Sequence, residues 1–509
     1  MALFGSLLYW YLKKRESGIR NFMENPHEVQ GQLLTSLIEK AKNTEWGKKF
    51  EYKSINSLDD FKNRVPVGNY ETHKPYINRM LRGEQNILWS SEVRWFAKSS
   101  GTTSAKSKFI PITYECLDEC HFQGGKDTIF FYLMNNPESN VLNGKGLIMG
   151  GSHQVNKFYF DQNFYGDLSA VMMQNLPFWA HFFRTPELSI ALMDNWDEKI
   201  NKMANATVFE DVTSISGVPT WTLVLIEKLF DLTGKKDVSE IWPNLELYIH
   251  GGVSFTPYRD KFKKLINSSK MNYLETYNAS EGFLGIQDMN KSDNMLLMLD
   301  YGIYFEFMPM EEYGKEFPET LSLDEVKPGI NYALVISSNS GLWRYLIGDT
   351  VKFSEINPYR FKITGRTKHF INAFGEELVI ENADHAISNA CKKMNAHITD
   401  YTAAPVHFVN NQNGVGAHEW LIEFDREPHS IEIFTDQLDH ELKSVNSDYE
   451  AKRFKDMAMT KPIVHVLPKG TFTSWMKKSG KLGGQHKVPR LSNNRQYVDE
   501  ILRFRVAQS

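Results

Sequence analysis

The sequence predicts a mixed α/β fold, with a large N-terminal domain of several β-sheets flanked by helices and a small α+β C-terminal domain. Apolar residues recur at helical spacing in residues 27–45 and 114–134. Apolar segments such as "GLIMGGSHQ" and "LELYIHGGVSF" end in glycines and are typical of buried strands. The chain has 509 residues, which is enough for more than one domain and a large core.

Many of the predicted strands lie before residue 355. "EVRWF" and "KFIPI" are short strands on either side of a loop rich in serine and threonine. A helix, "TPYRDKFKKLINSS", follows the strand in "LELYIHGGVSF". "MLLMLDYGIYFEFMPM" and "NYALVISSNSGLWRYLIGDTVKF" are rich in strand-forming residues, and the second contains a hairpin signal at "SNSG". This mixture indicates several sheets with helices between them.

The pattern changes after Phe353. The segment "SEINPYR" is short and polar and contains Pro358, which is typical of a linker. The elements predicted beyond it are a strand at 360–363, a helix at about 379–394, strands at 405–409 and 418–424, a helix at about 431–445, a strand at 463–467 and a final helix. We therefore predict an N-terminal domain over residues 1–355 and a C-terminal domain over residues 356–509, a common domain size.

The composition is that of an ordinary globular protein, with 41% hydrophobic and 24% charged residues. The net charge of -4 argues against a broad nucleic-acid surface. Three cysteines without CxxC spacing indicate a reducing compartment and no structural zinc. The apolar stretch from Ala2 to Leu12 is too short for a membrane span and lacks the charge order of a signal peptide. We expect a cytoplasmic protein in which this stretch is an amphipathic helix docked on the core, a weak membrane-surface contact being the alternative.

The loop from Ser99 to Ser107 has the composition of a phosphate-binding loop. Its backbone N–H groups and hydroxyls can surround an anion, and the lysines near its end add positive charge. A flexible hairpin turn explains the same composition, because glycine and serine are common in turns. A Walker A motif needs a second glycine five residues after the first, and Lys106 stands at that position after Gly101. The sequence therefore argues against a P-loop kinase or GTPase.

Two later segments carry further candidate residues. The strand in "YIHGGVSF" ends in Gly251 and Gly252, which allow the backbone to approach a flat ligand closely. The segment "ETYNASEGFLG" contains Tyr277, an aromatic ring able to stack on a base, followed by Ser280 and Glu281. A carboxylate near a phosphate loop needs a cation between them, and Mg²⁺ prefers such oxygen ligands.

Two more segments lie close to the predicted linker. Asp349, in "LWRYLIGDTVKF", can accept two hydrogen bonds from the hydroxyls of a ribose. Arg366, in "FKITGRTKHF", comes shortly after the linker. Taken singly, these residues have ordinary explanations, with Glu281 as a surface acid, Asp349 as a turn cap and Arg366 as an interface ion pair. Their order along the chain favours one shared site.

In this order the segments resemble the adenylate-forming (acyl-adenylate/luciferase-like) superfamily and, more closely, the auxin-responsive Gretchen Hagen family of acyl-acid amido synthetases, in a bacterial-type branch. "SSGTTSAKSKFIP" is similar to the first nucleotide motif of that family, "YNASE" matches Y-x-x-S-E, and "WRYLIGD" resembles Y-R-Y-x-x-G-D. "KGTFTSWMKKSGKLGGQHKVPR" resembles the C-terminal segment of the family. The resemblance spans Ser99 to Arg490 and departs at Ala105, usually glycine, and at Trp343, usually tyrosine.

The resemblance implies an ATP-dependent ligase. Such an enzyme converts a small carboxylic acid to an acyl-adenylate with release of pyrophosphate, and transfers the acyl group to the amine of an amino acid with release of AMP. The implied cofactors are ATP and Mg²⁺, and the implied partners are the acid and the amino acid, with no nucleic acid and no membrane span. The resemblance also implies a mobile C-terminal domain, for which "SEINPYR" is the candidate hinge. We expect a monomer.

The site residues that the resemblance implies fall into three groups. Glu281 holds Mg²⁺, and Lys487 and Thr102 have catalytic roles, with Lys487 meeting the α-phosphate or the acyl carboxylate. The nucleotide-binding residues are Ser99, Ser100, Gly101 and Thr103 at the phosphates, Gly252 and Tyr277 beside adenine, Ser280 in the same motif as Tyr277, and Asp349 and Arg366 at the ribose hydroxyls.

Two other functions stay open on the sequence alone. One is an acyl-coenzyme A ligase, which shares the adenylation step and uses a thiol acceptor. The other is a non-catalytic nucleotide-binding relative. The acid is not predicted, and the aromatic residues that are candidates for its pocket, although such a stripe is more often core, are Phe130, Phe131, Tyr132, Phe178 and Trp179.

Overall fold

The computed structural model describes residues 12–100, 107–150, 156–157, 163–193, 195–253, 255, 258–367, 370–408, 415–456, 458–478 and 489–506. The chain forms two compact units, a larger one that extends to Thr367 and a smaller one formed mainly by the residues after it. Each unit has a hydrophobic core of its own. The mixed α/β fold predicted from the sequence is confirmed.

The helices up to Thr367 are short to medium in length. Their bounds are Glu16–Glu24 (α1), Pro26–Ala41 (α2), Glu45–Lys49 (α3), Leu58–Arg64 (α4), Tyr70–Leu81 (α5), the π-helix Cys116–Phe122, Gln123–Asn135 (α6), Leu168–Gln174 (α7), Leu188–Ala191 (α8), Trp196–Thr207 (α9), Pro219–Thr233 (α10) and Arg259–Leu265 (α11). Short 3₁₀ turns occur at Tyr52–Ser54, Phe178–Phe183, Val238–Glu240, Met310–Glu312 and Leu323–Glu325. The helical pattern predicted for residues 27–45 and 114–134 is confirmed by α2, the π-helix and α6.

The strands up to Arg366 build two sheets. Their bounds are Val93–Ser100 (β1), Ser107–Thr113 (β2), Lys145–Ile148 (β3), Asn156–Lys157 (β4), Phe164–Gly166 (β5), Arg184–Thr185 (β6), Val212–Ser216 (β7), Leu247–His250 (β8), Asn272–Ala279 (β9), Gly282–Ile286 (β10), Met295–Leu297 (β11), Ile303–Pro309 (β12), Asn331–Ser338 (β13), Tyr345–Ile356 (β14) and Tyr359–Arg366 (β15). The smaller sheet has the order β2-β1-β5-β4, and the larger has the order β12-β13-β14-β15-β11-β10-β9-β8-β7-β3-β6.

Strand β9 is where two kinds of pairing meet in the large sheet. Strands β6, β3, β7, β8 and β9 run parallel to their neighbours, whereas β10 returns antiparallel to β9. The carboxyl ends of β8 and β9 therefore lie at one edge of the sheet. Polar groups at such an edge, at a change in strand order, commonly bind ligands in open α/β sheets.

The segment "SEINPYR" is not a linker. Residues 354–360 form the tip of the hairpin between β14 and β15, where Ile356 pairs with Tyr359 and Glu355 pairs with Arg360. Proline is typical both of linkers and of tight turns, so the sequence did not separate the two. This segment lies inside the larger unit and is held by strand pairing, so it does not supply the predicted hinge.

The smaller unit packs helices on a short sheet. Its strands are Phe370–Ile371 (β16), Leu378–Val379 (β17), His397–Val406 (β18), Ala417–Arg426 (β19) and Ile463–Leu467 (β20), and its helices are Ile380–Lys393 (α12), Ile431–Val445 (α13), Ser447–Lys452 (α14), Thr471–Lys478 (α15) and Gln496–Val506 (α16), with a 3₁₀ turn at Phe454–Asp456. The order of its main sheet is β18-β19-β20. The predicted helix at 431–445 and strand at 463–467 are confirmed. The strand predicted at 405–409 is placed too far along the chain, since β18 is His397–Val406 and overlaps it only at residues 405–406.

Within the described chain, no helix is both long and apolar enough to cross a membrane. Residues 2–11 of the N-terminal apolar stretch lie outside the described residues, and Leu12 is buried. The three cysteines, Cys116, Cys120 and Cys391, are buried free thiols.

Candidate functional site

A carboxylate held from two sides is the centre of the candidate site. Arg366 donates a hydrogen bond from Nε to Oδ1 of Asp349 at 2.7 Å. The hydroxyl of Tyr277 donates to Oδ2 of the same carboxylate at 2.5 Å. Asp349 is 8% exposed, so its orientation is fixed by these partners rather than by solvent. A carboxylate oxygen has two lone-pair directions, so this arrangement leaves one acceptor direction on each oxygen.

Strand pairing explains why Asp349 and Arg366 meet. The two residues are directly opposite each other on β14 and β15, where side chains on one face lie close enough to interact. Gly348 precedes Asp349 with a φ of +101°, a backbone conformation that favours glycine. The carbonyl of Gly348 accepts a hydrogen bond from the N–H of Thr367 at 2.8 Å. The hairpin thus presents Asp349 and Arg366 as one rigid pair.

Tyr277 reaches this pair from β9. Its ring is 6% exposed. Burial first, and then the negative charge of Asp349, raises the pKa of the Tyr277 hydroxyl well above its usual value. The hydroxyl therefore stays protonated at physiological pH and acts as a hydrogen-bond donor to Asp349. The predicted place of Tyr277 beside adenine stays a prediction.

The turn after β9 carries Ser280 and Glu281. Ala279 pairs with Gly282, so these two residues form the whole connection between β9 and β10. Glu281 is 7% exposed. Burial and next the negative charge of Glu281 raise the pKa of the Tyr345 hydroxyl well above its usual value. The turn follows directly after β9, the strand that carries Tyr277, and the charge of Glu281 also contributes to raising the pKa of Tyr277.

Two different constraints favour glycine at the two positions after β8. A Cβ on Gly251 would lie 2.4 Å from the carbonyl oxygen of Thr276, so no side chain fits there. Gly252 has a φ of +79°, which favours glycine. The strand that leads to them ends in His250, which stacks on Phe255 with ring centroids 4.0 Å apart. Burial, and then the charge of Arg259, lower the pKa of His250 to about 3, so this ring is neutral.

A second neutral histidine, His121, forms a hydrogen bond with a side chain on β9. Nδ1 of His121, on the π-helix, lies 2.9 Å from Oδ1 of Asn278, so Nδ1 carries the proton and donates. The amide nitrogen of Asn278 contacts the sulfur of Met172 on α7 at 3.8 Å. Burial lowers the pKa of His121 to about 4. Sequence reasoning missed His121 and Asn278, because a neutral buried histidine has no sequence signal of its own.

Part of the predicted site lies outside the described residues. Ser99 and Ser100 are the last residues of β1, and Gly101, Thr102 and Thr103 follow beyond it in the undescribed part of the loop. Lys487 also falls outside the described residues. The structure therefore brings together Tyr277, Asp349 and Arg366, with Glu281 beside them, and the roles of the other predicted residues stay predictions.

The arginine of "WRYLIGD", Arg344, has a structural role that the sequence does not reveal. Arg344 is buried, with a φ of +42°, and its guanidinium donates to Glu306 at 3.1 Å and to the carbonyls of Lys62 and Val65 at 2.7 Å. These bonds fix the chain just before β14 begins. Arg344 therefore positions the strand that carries Asp349 and is not itself part of the carboxylate cluster.

The aromatic pocket candidates whose side chains the structure describes separate into two groups, and the side chain of Trp179 lies outside the described residues. Phe130, Phe131 and Tyr132 lie on α6 and are buried in the hydrophobic core of the larger unit. Phe178, in contrast, is 79% exposed. The alternative that the stripe is core is thus correct for the residues on α6.

The residues present fit a magnesium ion only together with a ligand. Among the described residues, no three His, Cys, Asp or Glu side chains form a metal-binding group. Asp349 already pairs with the positively charged Arg366, which disfavours a second cation at this carboxylate, so Glu281 is the candidate carboxylate for a metal ion. Mg²⁺ is commonly held by one or two carboxylates and by substrate phosphates, which suits a single glutamate.

Family comparisons cover most of the chain. The GH3 family N-terminal domain matches residues 15–271, the GH3 family central domain matches residues 296–366, and the GH3 family C-terminal domain matches residues 381–496. Asp349 and Arg366 both lie in the central match.

Two curated plant enzymes are similar over nearly their whole length. The 4-substituted benzoates-glutamate ligase GH3.12 of Arabidopsis thaliana is 24% identical, and the match covers 93% of this chain and 94% of that protein. The indole-3-acetic acid-amido synthetase GH3.3 of the same organism is 22% identical, with 93% of this chain and 90% of that protein covered.

Solved structures share the fold. The acyl acid amido synthetase AtGH3.15 in complex with 2,4-DB has a TM-score of 0.64 at 17% identity, covering 97% of this chain and 96% of that chain. A 2-hydroxyisobutyryl-CoA ligase, in complex with 2-HIB-AMP and CoA, has a TM-score of 0.56 at 13% identity, covering 96% of this chain and 93% of that chain. At these identities the similarity concerns the fold alone.

Proposed function

The protein belongs to the GH3 family, and on this premise we propose that it is an ATP-dependent ligase that joins a small carboxylic acid to the amine of an amino acid through an acyl-adenylate. The observation that carries the proposal is the match of three consecutive family domains over residues 15–271, 296–366 and 381–496. The relatives named as amido synthetases and ligases are covered almost completely, so the comparison concerns whole enzymes.

The chemistry explains why a nucleotide site and an acid site belong together. A carboxylate is a poor acyl donor because it would have to expel an oxide. Attack of a carboxylate oxygen on the α-phosphate of ATP expels pyrophosphate and leaves AMP as a good leaving group. An amine then attacks the acyl carbon and expels AMP. Both steps build negative charge at the phosphate, which fixed donors and cations stabilise.

Asp349 is proposed to bind the ribose. With one oxygen held by Arg366 and the other by Tyr277, it has one free acceptor direction on each oxygen, a pattern that suits two neighbouring hydroxyls. Because the carboxylate is oriented in advance, little conformational entropy is lost when the nucleotide binds.

The remaining predicted residues complete the proposal. Ser99, Ser100, Gly101, Thr102 and Thr103 would surround the phosphates, and Lys487 would supply the cation. Gly252 and Tyr277 would lie beside adenine, and Ser280 would contribute to nucleotide binding from the same turn as Glu281. Glu281 would hold Mg²⁺, which neutralises phosphate charge when it is bound. The three buried free thiols support a cytoplasmic location, and we propose that the enzyme is a monomer.

The test is ATP–pyrophosphate exchange over a panel of carboxylic acids, followed by AMP release with amino acids. We expect exchange that depends on one class of acid and on Mg²⁺, and AMP release that accelerates when an amino acid is added. No exchange with any acid would contradict the proposed function.

An acyl-coenzyme A ligase is the alternative that shares the first step. Coenzyme A in place of the amino acid separates the two functions, because a thiol acceptor would then accelerate AMP release while amino acids would not. The family match favours the amine acceptor, since the matched curated relatives are amido synthetases and an acid–glutamate ligase.

A further inference from the structure

A buried arginine that has no carboxylate partner among the described residues lies in the larger unit. Arg184 begins β6 and is 6% exposed. Among the described residues, the side-chain contact of its guanidinium is with a neutral atom, since Nη2 lies 3.7 Å from the sulfur of Met173 on α7. Its Nε is buried and has no hydrogen-bond partner among the described residues.

The other buried arginines of the described chain each pair with a carboxylate. Arg344 pairs with Glu306 at 3.0 Å, and Arg453 pairs with Asp439 at 2.7 Å. Arg184 has the same degree of burial as these two residues but lacks such a pair. Desolvation shifts the pKa of Arg184 downward, although a guanidinium stays protonated in proteins.

This burial is costly for the folded protein. An ion removed from water loses much of its solvation free energy, and a partner charge with good hydrogen-bond geometry is needed to offset the loss. A chain has no structural reason to keep a charge in this state, because an apolar side chain of the same volume would fill the space more favourably. A buried polar atom without a hydrogen-bond partner, as Nε of Arg184 is among the described residues, calls for an explanation, and a bound ligand is one.

The location connects Arg184 with the candidate site. Met173, its contact, is also close to the end of β3, where a Cβ on Gly150 would lie 2.5 Å from the methyl group of Met173. The preceding residue on α7, Met172, contacts Asn278 on β9, next to Tyr277. One short helix therefore touches both the arginine and the strand that carries the tyrosine of the carboxylate cluster.

We propose that Arg184 binds a carboxylate of a substrate, and this rests on the proposed ligase function. A guanidinium presents a planar fork of donors that matches both oxygens of a carboxylate. The reacting carboxylate is not the one bound, because a fork that engages both its oxygens would withhold the nucleophile from the α-phosphate. The ligand is therefore a second carboxylate, either at the far end of a dicarboxylic acid or on the α-carbon of the amino acid.

The first arm of the test measures stability and needs no activity. Arg184→Met keeps the length of the side chain and removes the charge. Its matched control is Arg360→Met, because Arg360 is also mostly buried but pairs with Asp288 at 2.8 Å. We expect the melting temperature to be equal or higher for Arg184→Met and lower for Arg360→Met. A loss for Arg184→Met as large as that for Arg360→Met would overturn the proposal, since it would show a structural arginine.

The second arm separates the two sources of the carboxylate. Pyrophosphate exchange is measured with butyrate against glutarate and with benzoate against terephthalate. AMP release is measured with alanine against alaninamide. Two lost charge-assisted hydrogen bonds correspond to at least about a tenfold rise in KM.

A rise in KM for the dicarboxylic acids alone assigns Arg184 to the acid, and a rise for alanine alone assigns it to the amino acid. Arg184→Lys, which keeps the charge but not the fork, should recover part of the loss. An equal change for every member of each pair would overturn the proposal. If the parent enzyme shows no exchange with any acid, the proposed function fails, whereas the melting comparison still decides whether Arg184 is a binding or a structural residue.

Discussion

Asp349 and Arg366 face each other across adjacent strands, and Nε of the arginine lies 2.7 Å from Oδ1 of the carboxylate. Tyr277 holds the other oxygen at 2.5 Å, so the carboxylate is oriented before any ligand arrives. The pairing register fixes this geometry, because a shift by one residue would turn one of the two side chains to the other face of the sheet.

Asp349→Ala should weaken ATP binding by about tenfold or more, since hydrogen bonds to a charged group contribute roughly 1.5–3 kcal/mol each. Calorimetry with ATP measures the change. Asp288→Ala is the control, because it also strands an arginine, Arg360, that is bonded to it at 2.8 Å. The control should lose stability and keep its ATP affinity. Equal ATP affinity in Asp349→Ala and the parent enzyme would refute the ribose role.

Tyr277→Phe should raise the KM for ATP by about twofold to tenfold, because one oxygen of Asp349 loses its fixed donor and about 0.5–1.5 kcal/mol of net hydrogen-bond energy. Tyr301→Phe is a closely matched control, since the Tyr301 hydroxyl donates to the buried carboxylate of Asp127 at 2.7 Å. Both variants should unfold at lower denaturant concentration. A KM for ATP that rises equally in both would show that Tyr277 acts only through stability.

Lys487→Ala should slow adenylation by about 10²- to 10³-fold, the usual effect of removing one group that stabilises charge in a transition state. Pyrophosphate exchange at saturating acid measures this step directly. Lys469→Ala is the control, because Lys469 pairs with Asp425 on the exposed surface of the smaller unit at 2.8 Å. Unchanged exchange in Lys487→Ala would make this lysine a bystander.

His250→Phe should make the protein less sensitive to acid. Burial lowers the pKa of His250 from 6.5 to about 3 in the folded state, so between these values the unfolded chain binds the extra proton. Stability is therefore lost as pH falls through this window, by about 1.4 kcal/mol per pH unit for this histidine. Urea unfolding at pH 5 and pH 7 should show a smaller difference for the variant.

The control for this pH effect is His429→Gln, because His429 is exposed. His73 and His121, each with a pKa lowered by burial to about 4, keep the same direction of pH dependence in all variants. The comparison between variants therefore isolates His250. If the stability difference between pH 5 and pH 7 were identical in His250→Phe and in the parent, the pKa of His250 would not be lowered in the folded protein.

Local patterns were enough for much of the fold. The helix at Ile431–Val445 and the strand at Ile463–Leu467 have the bounds that apolar periodicity predicts. The linker predicted at residues 354–360 is wrong, because proline and polar residues are typical of a tight hairpin as well as of a linker. Only the pairing of β14 with β15, which is a contact between strands, separates these alternatives.

The candidate site was predictable in its residue types but not in its connections. Motifs identified Tyr277, Asp349 and Arg366, yet the bond between Tyr277 and Asp349 joins residues that are 72 positions apart. No sequence motif identified Arg184, because what distinguishes it is that its guanidinium is buried without a charged partner among the described residues. Burial and partnership are properties of packing, and a single sequence contains no direct record of them.

The position of β15 has a consequence for anyone who wishes to express the larger unit alone. The strand lies between β14 and β11, so a truncation after residue 355 would divide the eleven-stranded sheet in two and remove Arg366 from Asp349. It would also leave two unpaired strand edges in the interior of the sheet, which are templates for aggregation. A shortened protein intended for crystallisation should therefore retain the chain through Thr367.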